Sequence, residues 1–169
     1  VGVEPIMIDS RLVSAQNRKR FYWANFDFDQ PDDRNIVVPD ILEDSIDEKY
    51  FVDNQNKYDS FISMCPCGII DDYNQNLRKY ARKSYTMTPN TGSKTFRNGQ
   101  KVLIGGRVRR FTPVECERLQ TVPDNYTECV SDRQRYKLLG NGWTVDIIAH
   151  ILRNMQHNEE NPQDCSESK

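Results

Sequence analysis

Three short strings in this sequence set amides and guanidinium groups at spacings that suit anion and base chemistry. In Gln16-Asn17-Arg18-Lys19-Arg20, two arginines on alternate residues reach the same side of an extended backbone, with Gln16 two positions before them. The planar donor fork of Arg fits phosphate, and the Gln amide either binds a base or fixes a loop. Read alone, such a basic turn is equally an ordinary surface feature. In Arg109-Arg110-Phe111-Thr112-Pro113-Val114-Glu115-Cys116-Glu117-Arg118-Leu119-Gln120, the trio Thr112, Pro113 and Glu115 supplies an N-cap, a first-turn proline and a capping-box partner. A helix start explains that trio and not the whole string. The third string is Gly140-Asn141-Gly142, which read alone is a turn, because glycine and asparagine tolerate positive φ.

The elements that must position these strings are legible to different degrees. Pro5 to Asp9 is a short apolar run and Phe21 to Phe28 is aromatic and partly alternating, which predicts two strands around the basic connection. The chain turns polar from Asp29 to Val38, setting a boundary near residue 30, and Pro39 to Ile46 predicts a short helix. Residues 50–77 show no clean period. Residues 84–106 are rich in Ser, Thr, Gly and Asn, with only Lys101 to Ile104 strand-like, so the middle is expected to be dominated by loops. The last third is the most regular. One helix is predicted over about 113–120, stopped by Val122-Pro123-Asp124, and a second begins at Ser131 with Gln134 and ends at Gly140 in a left-handed C-cap. Val145, Ile147, Ile148, Ile151, Leu152 and Met155 then predict an amphipathic helix to about residue 156. From His157 the chain is polar and expected to be disordered.

The 169 residues suffice for one ordinary domain, or for a small domain plus a piece of another. Seventeen aromatics and 37% hydrophobic residues fit a globular protein, although a mean hydropathy of −0.78 leaves little apolar surplus. No apolar run approaches the roughly 20 residues that span a bilayer, and there is no leader signature, so neither membrane insertion nor secretion is expected. Cys65, Cys67, Cys116, Cys129 and Cys165 form no even framework and no paired C-x-x-C motif, which speaks against a disulfide scaffold or a metal site and for a reducing cytoplasm. The chain opens on Val1 directly before a strand-like run, and part of the fold is expected to lie upstream. A net charge of −2 hides sorted charges. Between Asp27 and Glu48 there are nine acids and one base, whereas from Arg78 to Arg110 there are ten bases and no acid. Such a basic segment either attracts a polyanion or is a solvated face.

Taken in order, these strings resemble the DNA cytosine-5 methyltransferase family. SAQNRKRFYW is similar to the family's Gln-x-Arg-x-Arg motif between two strands. RRFTPVECERLQTVPDNYT is similar to its Arg-x-x-Thr-Pro-x-Glu-x-x-Arg-Leu-Gln-x-x-Pro motif, and YKLLGNGWTV to its final Gly-Asn motif. The resemblance covers nearly the whole chain except the tail. It implies an α/β fold, the C-terminal portion of an S-adenosylmethionine-dependent methyltransferase with an inserted loop-rich target recognition domain. Residues 1–29 would belong to the catalytic domain, 30–108 to the recognition domain, 109–156 to motifs returning to the catalytic domain, and 157–169 to the tail.

The family's reaction implies a flipped cytosine, attack of a cysteine thiolate on C6, and methyl transfer from S-adenosylmethionine to C5. The Gly-rich cofactor loop, the Glu-Asn-Val string and the Pro-Cys-Gln nucleophile motif are not found in this sequence. Cys67 follows Pro66, but it comes after the Gln-x-Arg-x-Arg motif and is followed by Gly68, so it is not read as the nucleophile. Carried over by position, Arg20 would approach the flipped cytosine and stabilise charge on its ring, with Gln16 and Arg18 shaping that side of the pocket. Arg109, Thr112, Pro113, Glu115 and Arg118 would organise the junction between domains. Asn141 and Gly142 would border S-adenosylmethionine, held mainly by the missing half. Gly142 stands where the family often has Ser, which removes a hydroxyl contact. Ser84 to Gly92 is the candidate base-reading loop, with Ser84, Thr86 and Thr88 at groove edges and Lys83, Lys94, Arg97 and Lys101 on phosphates.

The resemblance therefore implies double-stranded DNA and an N-terminal catalytic half or companion subunit as partners, no metal, and a restriction-modification setting in the cytoplasm of a bacterial or phage-infected cell. This chain alone is expected to be inactive. Two other readings stand beside it: a non-catalytic DNA-binding or regulatory module, and part of a family member acting on tRNA.

Overall fold

A computed structural model describes residues 2–95 and 98–160, the last five as backbone only. β1 (Ile6–Asp9) and β2 (Lys19–Tyr22) pair antiparallel, in register from Ile6 opposite Tyr22 to Asp9 opposite Lys19. Asp9 closes the hairpin, its Oδ1 accepting from the backbone N–H groups of Arg11 at 3.1 Å and Arg18 at 2.9 Å. The second strand starts two residues before the aromatic run and stops at Tyr22, not Phe28. Its partner is only four residues long, so the ladder ends there and the alternating aromatics beyond it are loop. Phe28 is buried nonetheless, packed with Ile8, Val13, Ile147 and Ile151.

The middle of the chain is more ordered than its composition suggests. After α1 (Val38–Ile41) and α2 (Asp59–Met64), β3 (Cys67–Asp71), β4 (Asn76–Lys79), β5 (Gln100–Ile104) and β6 (Arg107–Arg109) form an antiparallel sheet in the order β4-β3-β5-β6. β3 escapes a period-two reading because both of its faces are covered. Ile69 packs with Phe111, Leu119 and Leu139, whereas Ile70 packs with Tyr58, Phe61 and Val108 on the other side. Gly105 and Gly106, with φ of 57° and 72°, make the two-residue turn into β6 that a pair of positive-φ positions allows. The helix expected over 39–46 is a single turn, because Leu42 is already extended.

The C-terminal third follows its sequence signals closely. α3 (Pro113–Leu119) begins at the Thr112 cap, α4 (Asp132–Asn141) follows Ser131, and α5 (Val145–Glu160) runs four residues beyond the predicted end. Residues 157–160 are thus helical, and residues 161–169 lie outside the described residues. Gly140 is not a left-handed C-cap: it sits inside α4, and Gly142 caps the helix at φ −70°. A Cβ on Gly140 would lie 2.2 Å from the Pro89 nitrogen and 2.3 Å from the Thr88 carbonyl carbon. Glycine is required there for close packing of helix against loop. Among the described residues no helix is long and apolar enough to cross a membrane.

Candidate active-site junction

The three motif strings meet in one buried polar network. Gln16 is fully buried; its Nε2 donates to the Leu119 carbonyl at 2.6 Å and to Gln120 Oε1 at 3.0 Å, and its Oε1 accepts from the Met87 N–H at 3.1 Å. Gln120 in turn donates to the Leu139 carbonyl at 2.5 Å and the Gly142 carbonyl at 3.2 Å, while its Oε1 accepts from Thr144 at 3.1 Å. Arg18 completes the circuit, its two terminal nitrogens donating to the carbonyls of Met87 and Gly142, each at 2.9 Å. Buried amides are tolerated because their donors and acceptors are matched, and the matching fixes one geometry. Met87, in the middle of the candidate reading loop, is held by both its N–H and its C=O.

Arg20 is the arginine left over. It lies on the same side of β2 as Tyr22 by strand alternation, two residues after Arg18, is exposed, and among the described residues donates only to the neighbouring Lys19 carbonyl at 2.7 Å. Burial and the nearby charge of Arg20 lower the Arg18 pKa. Burial raises that of Tyr22, partly offset by the two arginines. Neither guanidinium is paired with a carboxylate among the described residues. Two cations two residues apart without a carboxylate partner make a place for negative charge.

Asn141 and Gly142, the two residues expected to border the cofactor, differ in what they are left free to do. Gly142 has its N–H bonded to the carbonyls of Leu138 and Leu139, and its own carbonyl accepts from Arg18 and Gln120. It has structural work and no free backbone group for a ligand. Asn141 is exposed at the end of α4, next in sequence but one to the exposed Trp143.

Behind the junction, Arg109 and Glu115 form a buried two-pronged ion pair, both N–O distances 2.7 Å. Glu115 also accepts from the N–H groups of Thr112 at 2.9 Å and Glu43 at 3.0 Å, closing the capping box and tying it to the segment after α1. Pro113 opens α3, and Arg118 bridges Asp124 at 2.9 and 2.6 Å and the Ile41 carbonyl at 3.0 Å. Sequence reading missed Glu117. Its fully buried carboxylate accepts from the N–H groups of Asn125 and Thr127 and from Arg135 at 2.9 Å. Burial alone would raise its pKa, but Thr127 and Arg135 hold it below the ordinary carboxylate value. No local signal marks it, since Thr127 and Arg135 come from beyond the helix.

The DNA-contacting candidates divide sharply. Lys101 is fully buried, its Nζ 3.3 Å from Asp72 and 2.6 Å from the Asn98 carbonyl, and therefore holds no phosphate. Lys83 donates to the carbonyls of Arg11, Ser14 and Ile36 and is a strut between segments; burial lowers its pKa. Ser84 is buried and bridges backbone to backbone with Gln16, and Thr86 donates to the Asn17 carbonyl at 2.6 Å. Those two position the loop instead of reading from it. Thr88 and Lys94 are exposed, and Arg97 lies outside the described residues. The acid-free run is thus not a bare basic face. Arg107 pairs with Glu48, Arg109 with Glu115 and Lys101 with Asp72, which leaves Lys79, Arg82 and Lys94 as exposed cations without an ion-pair partner among the described residues.

Among the described residues no group of His, Cys, Asp and Glu is placed to hold a metal ion. Comparison with known proteins agrees with the convergence of the three strings. Residues 10–157 match the model of the C-5 cytosine-specific DNA methylase family. The chain is 32% identical over 154 residues to the Type II methyltransferase M.NlaX of Neisseria lactamica and 28% identical over 158 residues to M.HhaI of Haemophilus parahaemolyticus, in each case 83% of this chain and 48% of the relative. It spans about half the length of these relatives. Its fold superposes on the Entamoeba histolytica methyltransferase EhMeth with a TM-score of 0.67 at 15% identity, over 94% of this chain and 54% of that one. For Spodoptera frugiperda DNMT2 the TM-score is 0.59 at 17% identity, over 90% and 57%. These neighbours show the mixed α/β fold of methyltransferases, and the matched span shows that the chain belongs to the C-5 cytosine-specific DNA methylase family.

Proposed function

We propose that this chain is the C-terminal portion of a methyltransferase that acts on C5 of cytosine in duplex DNA, working jointly with catalytic residues that this sequence does not carry. The observation that carries the reading is the pair of arginines without a carboxylate partner among the described residues, Arg18 just ahead of β2 and held by the buried network that also fixes Met87 and Gly142, and Arg20 exposed on the strand. Arg20, exposed and without a carboxylate partner among the described residues, stabilises the negative charge that develops on the cytosine ring when C6 is attacked. Arg18 and Gln16 hold the loop carrying Met87 against that site. Asn141 borders S-adenosylmethionine, which when bound supplies the methyl group. In this reading residues 1–29 and 109–156 belong with the catalytic part and 30–108 with DNA recognition.

The need for a companion half is supported by the apolar surface left open. Met7, Phe21 and Trp23 share the outer face of the hairpin, with the Phe21 and Trp23 rings 6.4 Å apart, and Val145, Leu152 and Met155 form an exposed stripe on α5. A two-stranded hairpin is marginal by itself, and such faces are normally covered. The relatives named as Type II methyltransferases support a restriction-modification setting. The test is transfer of labelled methyl to duplex DNA and, in parallel, to tRNA, by the chain alone and with its N-terminal half. Methylated DNA cytosine from the mixture alone is the expected result. Transfer to tRNA only, or DNA binding that the second half neither uses nor alters, would replace this reading with one of the two alternatives.

A further inference from the structure

The dipeptide Asn-Gly occurs twice in the sequence, as Asn98-Gly99 and Asn141-Gly142. In this pairing an asparagine side chain is most open to attack by its own backbone, because the glycine nitrogen that follows has no neighbouring side chain to obstruct the approach. The structure treats the two copies in opposite ways. At Asn141 the nucleophile is engaged: the residue closes α4, and the Gly142 N–H donates to the carbonyls of Leu138 at 2.9 Å and Leu139 at 3.2 Å. The Gly142 carbonyl is held as well, by Arg18 and Gln120. Ring closure there has to break the last turn of the helix.

Asn98 and Gly99 instead lie in the loop just ahead of β5, both partly exposed and lining a surface cavity of about 370 Å³. The Gly99 N–H donates to nothing among the described residues. Folding also supplies an electrostatic aid, for the Lys101 ammonium, fully buried against Asp72, donates to the Asn98 main-chain carbonyl at 2.6 Å. That carbonyl belongs to the same peptide group as the Gly99 nitrogen. When the nitrogen loses its proton, the negative charge rests largely on the carbonyl oxygen, where a fixed cationic donor stabilises it. On the other side of the residue Asp72 accepts from the Asn98 N–H at 3.3 Å. The main chain is therefore pinned, while the Asn98 side-chain amide makes no hydrogen bond among the described residues that would hold it away.

We propose that Asn98 is a site of spontaneous deamidation in the folded chain, and that the fold protects Asn141 from the same reaction. The Gly99 nitrogen bonds to the Asn98 side-chain carbonyl carbon, the bond from that carbon to the amide nitrogen breaks, and ammonia leaves with the proton that the Gly99 nitrogen gave up. The product is a five-membered succinimide. Water then opens the ring at one carbonyl or the other, giving aspartate or its isomer with the main chain routed through the side chain. One product sets a new carboxylate near Asp72 and the other adds a methylene to the main chain, so both disturb the backbone that the buried Asp72–Lys101 pair holds.

The test is peptide mapping by mass spectrometry of the chain incubated in neutral to mildly alkaline buffer, folded and in denaturant, with hydroxylamine cleavage to trap the succinimide. Each site's rate in denaturant is its own reference. Folding is expected to leave Asn98 at least as fast, and to slow Asn141 by about tenfold or more, the scale of giving up one hydrogen bond at the Gly142 N–H. The melting temperature should fall as Asn98 converts. Asn98→Ser keeps the backbone contacts, and should start at the wild-type melting temperature and hold it through the same incubation. Slowing of Asn98 on folding, or no slowing of Asn141, would overturn the assignment, and a melting temperature that stays constant while Asn98 converts would overturn its link to the buried pair.

Discussion

The motif junction and the basic middle segment are both rich in long polar side chains, yet only one of them announces what those side chains do. At the junction, spacing is the message. Gln16, Arg18 and Arg20 fall on alternate residues leading into β2, the first two are buried in matched hydrogen bonds, and the third is left exposed beside them. In the middle segment, local composition misleads. Ten bases without an acid read as a bare cationic face, but their partners come from elsewhere in the chain: Lys101 finds Asp72 across the sheet, and Arg107 finds Glu48 from a distant turn. Periodicity reports which residues share a face, whereas local charge does not report which charges remain free.

That contrast can be broken or sharpened experimentally. The largest effects are expected at the buried pairs in both regions. Arg109→Met should cost about 3–5 kcal/mol by stranding the Glu115 carboxylate, and Lys101→Met a similar amount by stranding Asp72. Denaturant unfolding measures both, and a Lys101 variant of native stability with weakened DNA binding would restore the phosphate reading. Next comes Gly140→Ala, where a methyl group meets the Thr88–Pro89 backbone; about 1–3 kcal/mol of destabilisation is expected, from overpacking at the seam between the two regions.

A smaller, pH-dependent effect belongs to Glu117. Its pKa is lower folded than unfolded, so its contribution is fully present above the unfolded value and is lost as pH falls through the folded one. Stability measured across the acid range should therefore fall more steeply for the wild type than for Glu117→Gln, and parallel curves would remove Glu117 from the account. The smallest effect is at Lys94. Lys94→Ala should leave stability within about 0.5 kcal/mol, as is usual for surface substitutions, and should make the log-log salt slope of DNA binding shallower by about 0.9 if Lys94 neutralises one phosphate.

Much of the C-terminal third was legible because capping chemistry is local: Thr112, Pro113 and Glu115 place the start of α3 without tertiary help. The four-stranded sheet was not, because Ile69 and Ile70 face two different cores and hide the alternation that marks a strand. Gly140 was assigned the wrong reason for being glycine, since backbone proximity to Pro89 leaves no trace in local sequence. At the site, Gln16 and Arg18 were found by spacing. Gln120 stood in the motif string without its role as the hub of the network, a role that depends on Leu139, Gly142 and Thr144 meeting it in space.

Arg18, just ahead of β2, serves architecture and Arg20, on the strand, serves chemistry; the division is tested most directly by methyl transfer to duplex DNA by the chain with its N-terminal half, alongside thermal melting, for Arg20→Ala. The expected result is an unchanged melting temperature and a rate lower by about a hundredfold or more, the scale of losing one charge-stabilising donor. An unchanged rate, or a rate that falls only together with the melting temperature, would contradict it.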